Sequence, residues 1–554
     1  MKDAKSRAAA KGYRLIFGYL GLFMMFIGAV TIVPIFVAAF YPSEAACWID
    51  FLVPGGAFIL VGALLFFLLI YGRPKERFGK YEDALLLFLI WVAAVVAGAL
   101  PFISVSLRGE LSSPLSFSEA LFESISGYSA TGYTVYPLAD FVGEEGAYCP
   151  HVFMFHRAFM QFVGGVGLVL IVASVLSDRY NLKLYFAEGH NDKLLPNLAK
   201  SAKLILAIYT GYIVAGAFGL WFFGMDFFDG LCHSIGAVAT GGYSSRADGV
   251  YWYQTSEFTG NGLFPGNVIG IEVVLEILML LGATNFVLHT FLFRGKIKEF
   301  FKDIEVRLGF FAIVFFIFVS AVTTCYLYAP TATNATPNGM APQTGIDFAT
   351  SLRYSAFNII SSITTTGFTN FVSIKQLGEV AIFSGIIVMI IGAGAGSTGG
   401  AIKQYRVGII AKDFFHSVRY RFSSSRQLSP KTVYRLGVKR EIEREDSQEA
   451  HNFAVLYIVT VLIGTLALLF LPGIDFQEGL YEVASGLSGT GQTIIDFFAY
   501  KASHPIYDYE ILLWVLNIAM FLGRLEIIPL FSSINRVFVV PFENRKRTPP
   551  ADLA

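Results

Sequence analysis

Ten long apolar runs restrict the fold of this chain more than any other feature of its sequence. As helices, runs of about 20 residues are long enough to cross the ~30 Å hydrocarbon core of a bilayer. Lipid offers no hydrogen-bond partners to exposed backbone, so a spanning segment is either a helix or part of a closed barrel. The sequence therefore predicts an all-α polytopic membrane protein. The runs are 15–40, 51–71, 84–107, 152–176, 204–223, 262–293, 306–328, 379–402, 453–471 and 509–531.

Composition agrees with this class and with one orientation in the membrane. Only 15% of the 554 residues are charged, against roughly a quarter in soluble domains. An even number of spans places both termini on one side, and most of the 41 Lys and Arg residues fall in the termini and loops of that side. By the positive-inside rule that side is cytoplasmic. The net charge of zero hides this asymmetry and gives no indication of a nucleic-acid partner.

The part of the chain after the first two runs falls into four units with one plan. Each unit has a span, a short apolar piece, a stretch rich in hydroxyls and glycine, and a second span. The short pieces lie at 117–127, 226–237, 348–361 and 476–486. The predicted layout is an N-terminal helix pair at 1–82, repeats at 83–180, 200–296, 304–412 (with a broken second span) and 451–540, a basic cytoplasmic linker at 413–450 and a cytoplasmic tail at 541–554.

The four hydroxyl-glycine stretches align without gaps on one glycine. They are SISGYSATGYT (124–134), SIGAVATGGYS (234–244), IISSITTTGFT (359–369) and VASGLSGTGQT (483–493). The shared column holds Gly132, Gly242, Gly367 and Gly491. The residues before it complete the set of candidate ion-binding positions: Ser129, Ala130 and Thr131; Ala239, Thr240 and Gly241; Thr364, Thr365 and Thr366; Ser488, Gly489 and Thr490.

Such stretches, placed after helices too short to span, are typical of pore-lining loops. Irregular backbone survives at membrane depth only where protein or a water-filled pathway covers it. Glycine permits the positive φ that turns successive carbonyls the same way. Four loops around one axis would present rings of neutral oxygens, which replace the hydration shell of a monovalent cation, whereas divalent ions favour carboxylates that these loops lack. The alternative is that the small residues only allow close packing of helices.

The second span of the third unit contains a glycine cluster, in IIGAGAGSTGGAIKQYR from Ile390. Each glycine lowers helix propensity by ~1 kcal/mol relative to alanine, so the cluster should break the helix inside the membrane. A break just below a pore loop predicts a mobile barrier on the ion path, and a tight crossing of two helices is the alternative. The predicted barrier residues are Gly392, Gly394, Gly396, Ser397, Thr398, Gly399 and Gly400.

Charged residues inside the spans are further candidates. A guanidinium buried in a span costs at least ~2.5 kcal/mol, so Arg524 should have partners and a purpose. It is expected to face the pore, as an electrostatic barrier or as a support for loop carbonyls; pairing with Glu526 or with another unit's backbone is the alternative. Glu272 and Glu276 in the sixth span are weaker candidates, equally well explained as a structural or subunit-facing pair.

At these residues the sequence resembles the TrkH/Ktr/HKT superfamily of potassium transporters, and within it the TrkH branch. The most specific matches are GAGAGSTGGAIK and LGRLE, supported by the four aligned stretches and by RAFMQFVGGVG in unit one. The resemblance covers about residues 84–540, and the two extra N-terminal spans also suit TrkH proteins. It implies four covalently joined M1–P–M2 units around one pore, potassium selectivity at the shared glycines, a gating loop at 392–400 and Arg524 as the barrier.

The resemblance also implies partners: homodimers on a cytoplasmic ring of nucleotide-binding TrkA-type subunits. The tract from Lys403 to Glu449, with eleven Lys or Arg residues, would be either a docking site for such a ring or a solvated loop beside anionic lipid. Two departures make the fourfold pattern uneven. Gly241 stands where the other units have Thr, and Gln492 follows the glycine of unit four where the others have an aromatic residue.

The predicted function is potassium uptake across the bacterial inner membrane, with potassium as substrate, bound as a metal ion at the filter residues only, and with no enzyme activity or cofactor. A sodium-permeable or sodium-coupled transporter of the same fold is the alternative, and both channel-like conduction and symport stay open. A membrane-embedded enzyme would need converging titratable groups, whereas His233, Glu272 and Glu276 are scattered. Cys47 and Cys149 fall in loops predicted to lie outside, where a disulfide and two free thiols are both compatible with the sequence.

Overall fold

The computed structural model describes residues 12–73, 82–109, 114–137, 150–167, 198–255, 257–327, 347–371, 373–422 and 430–525. Within these ranges the chain is helical apart from one β-hairpin. Seven of the described helices are long and apolar enough to cross a membrane, and two further helices, which meet at a bend of 112°, would make an eighth crossing. The prediction of an all-α polytopic membrane protein is confirmed.

The first two long helices pack closely through glycines. Helix α1 is Tyr13–Ile32, extended by 3₁₀ turns at Val33–Ala39 and Pro42–Cys47, and α2 is Trp48–Leu69. Small residues at matching positions let two helix backbones approach in lipid. A Cβ added to any of these four glycines would lie 2.5–2.7 Å from a carbonyl oxygen of the facing helix: Gly21, Gly28, Gly55 and Gly62.

The first two units follow the predicted plan in chain order. Unit one has α3 (Glu82–Leu107), α4 (Phe117–Tyr128) and α5 (His151–Val166). Unit two has α6 (Leu198–Phe222), α7 (Phe227–Val238), a 3₁₀ turn (Gly249–Gln254), α8 (Val268–Gly282), α9 (Phe286–Phe293) and α10 (Ile297–Lys302).

The other two units are joined by a partly structured segment. Unit three has α11 (Ile304–Leu327), α12 (Phe348–Ile363), a 3₁₀ turn (Ile374–Leu377) and α13 (Glu379–Ile391). The connection has α14 (Gln404–Phe422) and an antiparallel hairpin of β1 (Thr432–Arg435) and β2 (Val438–Glu441), in which Thr432 pairs with Glu441. Unit four has α15 (Arg444–Leu468), α16 (Phe476–Ser488), α17 (Phe497–Ser503) and α18 (Ile506–Arg524). The linker boundaries suggested at 413 and 450 therefore fall inside α14 and α15.

The four short apolar pieces are the helices α4, α7, α12 and α16, and each begins at a side-chain cap. The capping side chains accept hydrogen bonds from backbone N–H groups of the first turn, which otherwise have no partner. Their caps are Ser116, Asp226, Asp347 and Asp475. Ser116 and Asp475 form full capping boxes with Glu119 and Glu478. Each helix therefore starts where a local sequence signal starts it and ends at a hydroxyl-glycine stretch.

Among the described residues, three of the predicted spans are interrupted as helices. The span predicted at 262–293 is bent between α8 and α9, because Asn285 caps α9 by accepting from the N–H of Val287. The span predicted at 379–402 ends as a helix at Ile391, so the break expected from the glycine cluster is present. The helix predicted at 152–176 ends at Val166, where Gly167 has a φ of 93°, and residues 168–176 lie outside the described ranges.

Candidate functional site

The four aligned stretches share one backbone conformation. The residue two places before the shared glycine has a positive φ in every unit: 54° at Ala130, 52° at Thr240, 55° at Thr365 and 74° at Gly489. The shared glycines also have positive φ: 101° at Gly132, 71° at Gly242, 96° at Gly367 and 73° at Gly491. A left-handed conformation costs a non-glycine residue about 1–2 kcal/mol. Its recurrence at one column shows that the four loops follow the same path.

The shared glycines also contact one another's loops in a closed ring. A Cβ added to the shared glycine of any unit would collide with the carbonyl oxygen of the residue that precedes the shared glycine in the next unit. The four pairs are Gly132 with Gly241, Gly242 with Thr366, Gly367 with Thr490, and Gly491 with Thr131. The ring runs through units one, two, three and four and returns to one, so the loops surround a common axis. Glycine is required at this column because no side chain fits between neighbouring backbones.

Hydroxyl groups brace the loops of units one, three and four. Two hydroxyls in each loop hydrogen-bond to each other, at 2.6 Å (Ser129 and Thr131), 2.9 Å (Thr364 and Thr366) and 2.7 Å (Ser488 and Thr490). A serine six places before the shared glycine binds the backbone on the far side of the loop. Ser126 accepts from the N–H of Gly132 and donates to the carbonyl of Tyr133. In unit three Ser361 accepts from the N–H of Gly367, and in unit four Ser485 donates to the carbonyl of Gln492.

In every unit a buried polar residue nine places before the shared glycine joins the short helix to the extended segment that follows this glycine. These residues are Glu123, His233, Asn358 and Glu482. Glu123 accepts from the hydroxyl of Thr134 and the N–H of Val135, at 3.0 and 3.1 Å. Glu482 accepts from the hydroxyl of Thr493 and two following N–H groups, at 2.8–3.1 Å. His233 lies 3.0 Å from the hydroxyl of Ser244, and Asn358 donates to Asn370 at 2.8 Å.

Sequence reasoning missed this column, although a signal for it was present. This position is polar in all four short helices, at one constant distance from the aligned glycine. His233 was weighed only as a scattered enzymatic residue, whereas the structure places it in a fourfold set of loop supports. A buried donor or acceptor without a partner costs about 1–3 kcal/mol, so each of these side chains restricts the strand that it binds.

The residue after the shared glycine links neighbouring units. The hydroxyl of Tyr133 donates to the Glu482 carbonyl at 2.9 Å, and that of Tyr243 donates to the Glu123 carbonyl at 2.7 Å. Phe368 stacks on His233 with ring centroids 5.6 Å apart. These contacts form an outer belt around the inner ring of glycines.

Gln492 closes the belt in unit four by hydrogen bonds instead of an aromatic ring. Its Nε2 donates to the carbonyl of Phe368 at 3.3 Å, and its Oε1 accepts from the hydroxyls of Ser362 and Tyr481 at 2.7 and 3.0 Å. Two of these partners belong to unit three. The departure at Gln492 therefore keeps a link between units while changing its chemistry.

Glycines in the second helices let those helices approach the ends of the short helices. A Cβ at these positions would collide with a carbonyl at the C-terminus of the short helix of the same unit: Gly164 with Tyr128, Gly282 with Val238, and Gly523 with Leu487. In unit three a loop replaces the second helix at this level. It runs from Gly392, with a φ of 71°, and folds back so that Gln404 donates from its N–H to the carbonyl of Ala393 at 2.9 Å.

This glycine loop, residues 392–403, pairs with the break in the second helix of unit two. The N–H of Gly394 donates to the carbonyl of Ala283 at 2.9 Å, and the N–H of Phe286 donates to the carbonyl of Gly396 at 3.1 Å. The side chain of Asn285 donates to the carbonyl of Ala395. The two interrupted helices thus satisfy each other's free backbone groups, as non-helical backbone at membrane depth requires.

The glycine loop also lies directly against the aligned stretches. The hydroxyl of Thr240 donates to that of Thr398 at 3.0 Å, and the N–H of Gly400 donates to the hydroxyl of Thr365 at 3.1 Å. A Cβ on Gly400 would collide with the carbonyl oxygen of Ser488. The glycines of this loop are therefore needed for close approach as well as for breaking the helix.

Arg524, at the end of α18, connects the glycine loop to unit one. Its Nη1 donates to the carbonyl of Thr398 at 3.1 Å, and its Nη2 donates to the carbonyls of Gly164 and Gly165. The Gly164 and Gly165 carbonyls belong to unit one and the Thr398 carbonyl to unit three, so these contacts match the alternative interpretation, in which Arg524 pairs with the backbone of other units. Glu526, the alternative partner, lies outside the described residues.

Comparison with known proteins identifies the family. The model of the TrkH family, described as cation transport protein, matches residues 89–544. This chain belongs to the TrkH family. The expected resemblance is confirmed, and the family is one of transporters and not of enzymes.

Curated relatives match this TrkH-family chain over nearly its whole length. An uncharacterized cation transporter of Methanocaldococcus jannaschii is 26% identical over 535 residues, which are 95% of this chain and 97% of that protein. The Trk system potassium uptake protein TrkH of Escherichia coli K12 is 26% identical over 547 residues, covering 95% and 99%. The crystal structure of the potassium transporter TrkH from Vibrio parahaemolyticus superimposes with a TM-score of 0.75 at 23% identity, covering 96% of this chain and 100% of that one.

A small cavity lies beside these contacts, between parts of the aligned stretches and the glycine loop of this TrkH-family chain. Its volume of about 30 Å³ leaves room for one or two water molecules. Both Arg524 and Lys403 line it, together with residues of the loops of units one and four. Lys403, which has a φ of 77°, was not among the predicted site residues. Two cationic residues thus line this cavity (the chamber) together with residues of the glycine loop.

The remaining candidate residues of this TrkH-family chain lie away from the ring. Glu272 pairs with Arg353 at 3.2 Å and accepts from Asn370 at 2.9 Å, which supports the structural interpretation of this carboxylate. Cys47 is buried, and Cys149, its proposed partner, lies outside the described residues. In the ranges that the structure covers, no group of three or more His, Cys, Asp or Glu residues could hold a metal ion.

Proposed function

We propose that this chain is a potassium uptake protein that conducts the ion along the axis of its four loops. The filter consists of residues 129–132, 239–242, 364–367 and 488–491. The observation that carries the proposal is the closed ring in which each shared glycine abuts the preceding carbonyl of the next unit. Four equivalent backbones around one axis place carbonyl oxygens at successive levels, and such oxygens replace the water shell of a monovalent cation.

Charge supports a monovalent ion. The aligned loops contribute neutral oxygens and no carboxylate, while Arg524 and Lys403 line the chamber below. A positive chamber opposes a divalent cation more strongly than a monovalent one, since Coulomb energy scales with charge. Inward movement of one positive charge gains about 2.3 kcal/mol per 100 mV of negative-inside potential, so uptake needs no covalent energy source.

Residues 392–400 of the glycine loop, together with Arg524, serve as the gate. Its hydrogen bonds to α8, to two filter loops and to Arg524 support a closed position directly below the filter. The chamber left above it is too small for a hydrated ion. Opening therefore requires the loop to exchange these bonds for others.

We also propose that the protein lies in the bacterial inner membrane with both termini in the cytoplasm, as a homodimer that binds nucleotide-binding TrkA-type subunits. Helix α14 starts four residues after Gly400 and exposes Phe414 and Phe415. A regulatory ring that moved α14 would therefore pull directly on the gate. The proposed topology rests on the positive-inside pattern, and the proposed partners rest on the family. The short connection between α14 and the gate supports a regulatory partner.

Uptake of rubidium-86 in a host that lacks its own potassium uptake tests the proposal, with potassium and sodium as competitors. We expect uptake that potassium inhibits at much lower concentration than sodium does. Gly367→Ser forces a side chain against the carbonyl of Thr490 at a position with a φ of 96°. It should reduce this preference by about tenfold, or about 1.4 kcal/mol, because it displaces a carbonyl of the ring that contacts the ion. The matched control is Gly211→Ser, because Gly211 has no neighbouring atom within 4 Å of an added Cβ.

Two results would contradict the proposal. Absence of rubidium uptake by the wild-type chain, present in the membrane at normal level with its host's regulatory subunits, would exclude potassium conduction. Equal inhibition by sodium and potassium would favour the sodium-permeable alternative.

A further inference from the structure

The filter loop of unit two lacks the hydroxyls that brace the other three loops. Six places before the shared glycine it has Gly236 where the others have serine, and directly before the shared glycine it has Gly241 where the others have threonine. Ala239 replaces the hydroxyl of the remaining position. Yet the loop has the same pair of positive φ angles, 52° at Thr240 and 71° at Gly242. Other contacts must therefore hold the unit-two loop in this conformation.

The side chain of Gln161, from α5 of unit one, binds the same stretch of this loop through other backbone groups. Its Nε2 donates to the carbonyl of Gly241 at 2.5 Å, and its Oε1 accepts from the N–H of Tyr243 at 3.3 Å. Gln161 is fully buried, with no exposed surface. The two bonds flank Gly242, so a single carboxamide restricts the backbone on both sides of the shared glycine.

Space as well as hydrogen bonding couples Gln161 to this loop. A Cβ on Gly241 would lie 2.7 Å from both Nε2 and Oε1 of Gln161, which real side chains do not tolerate. A Cβ on Gly236 would lie 3.4 Å from Oε1 and 3.2 Å from the carbonyl oxygen of Tyr243. The carboxamide therefore occupies the volume that a threonine at 241 would fill. This is the physical reason for the first departure from the fourfold pattern.

The carbonyl that Gln161 holds belongs to the inner ring. The carbonyl oxygen of Gly241 abuts Gly132, as those of Thr366, Thr490 and Thr131 abut the glycines of their neighbours. A neutral donor at 2.5 Å fixes the direction of this oxygen and withdraws part of its electron density from an ion. The ring is therefore uneven in chemistry at unit two while it stays even in backbone conformation.

We infer that Gln161 is a positioning residue for ion selection, acting through the Gly241 carbonyl of the neighbouring unit. The inference rests on the proposed function, because it assigns a role within that filter. It predicts that Gln161 and Gly241 behave as one coupled pair. Changing either residue alone disturbs ion selection, whereas removing the carboxamide and at the same time adding the threonine that the other units have at this position restores it.

The test compares Gln161→Ala, Gln161→Glu, Gly241→Thr and the double variant Gln161→Ala with Gly241→Thr. The readout is the ratio of sodium to potassium concentrations that halve rubidium-86 uptake, together with the amount of protein in the membrane. Each single variant should lower the ratio by about tenfold or more. In Gln161→Glu a carboxylate oxygen replaces the donor and repels the Gly241 carbonyl. The double variant should recover at least half of the lost preference, on a logarithmic scale.

A second measurement covers variants that do not transport. For purified protein, the melting temperature in potassium minus that in sodium reports ion selection without transport, because an ion that binds the folded state stabilises it. This difference should shrink in the single variants and return in the double variant. If a single Gln161 variant is not produced, Gln161→Asn takes its place, since the asparagine side chain keeps the amide but is too short to reach both backbone groups.

An unchanged ratio and an unchanged difference in melting temperature in the single variants would overturn the inference, whatever happens to rate or expression. Lower production with normal selectivity would likewise show that Gln161 only supports the fold. Neither result would affect the proposed function, which fails instead if the wild-type chain shows no potassium-selective uptake.

Discussion

Arg524 is expected to hold the glycine loop closed, so that its removal speeds transport. The guanidinium bonds the carbonyl of Thr398 in the loop at 3.1 Å and the carbonyls of Gly164 and Gly165 in α5. A hydrogen bond to a charged group contributes about 1.5–3 kcal/mol. If opening breaks only the Thr398 bond, Arg524→Ala shifts the closed-to-open equilibrium by that amount. Each 1.4 kcal/mol is about a factor of ten, so the open fraction should rise by about 10- to 150-fold.

The assay is rubidium-86 uptake at saturating ion, normalised to the protein in the membrane. Arg524→Lys separates two origins of the effect. Lysine keeps the positive charge in the chamber but, with one ammonium group, cannot hold the carbonyls of the loop and of α5 in the same fork geometry. If the bonds close the loop, both variants transport faster than the wild-type chain. If the charge itself is the barrier, only Arg524→Ala does.

The reasoning would be refuted by uptake at or below the wild-type rate in both variants at normal membrane levels. Arg524 would then serve to assemble the four units, and the loop would be held by its bonds to α8 and the filter. A change in ion preference with an unchanged uptake rate would also contradict the role of Arg524 in holding the loop closed, since Arg524 contacts the glycine loop and not the ring of glycines.

Three further outcomes follow from the same contacts. Gly489→Ala should keep the potassium preference in uptake assays and lose at most about 1–2 kcal/mol of stability, because an added Cβ there meets no atom closer than 3.9 Å. A loss of potassium preference as large as that in Gly367→Ser would contradict this expectation. Glu482→Ala should lower the melting temperature of the purified protein by several degrees, since it leaves buried N–H groups without a partner at about 1–3 kcal/mol each, and Glu482→Gln should recover part of this loss. Thr398→Val should raise uptake by about two- to tenfold through loss of the 2.9 Å bond to the Gly282 carbonyl, a net contribution of about 0.5–1.5 kcal/mol, with Thr398→Ser as the control that keeps the hydroxyl. Equal uptake in the Val and Ser variants would show that this bond does not restrain the loop.

Local signals predicted most of the elements that position the site. The four short helices lie within a few residues of their expected places, because each apolar piece is preceded by a capping side chain that acts within one helical turn. The break at Gly392 followed from glycine content alone. The break between Gly282 and Phe286 did not, because it depends on hydrogen bonds to the glycine loop, more than a hundred residues away.

The supports of the filter were harder to predict. Arg157, which was not among the predicted site residues, is buried, pairs with Glu123 at 2.7 Å and donates to the Ser244 carbonyl of unit two at 3.2 Å. Gln161 lies 80 residues from the Gly241 carbonyl that it holds. Neither residue carries a local pattern, since each acts on a loop of the neighbouring unit. Both departures at Gly241 and Gln492 become intelligible only from such contacts between units.

The sequence by itself determined that the chain spans a membrane, that it repeats one plan four times, and which glycine is common to the repeats. These properties depend on hydropathy, helix capping and backbone freedom, which act over short distances along the chain. Tertiary structure alone decided that the loops meet in a ring, which carbonyls they present, and which glutamine stands in for absent hydroxyls. Those outcomes depend on distances between units, and no residue encodes such a distance before the helices have packed.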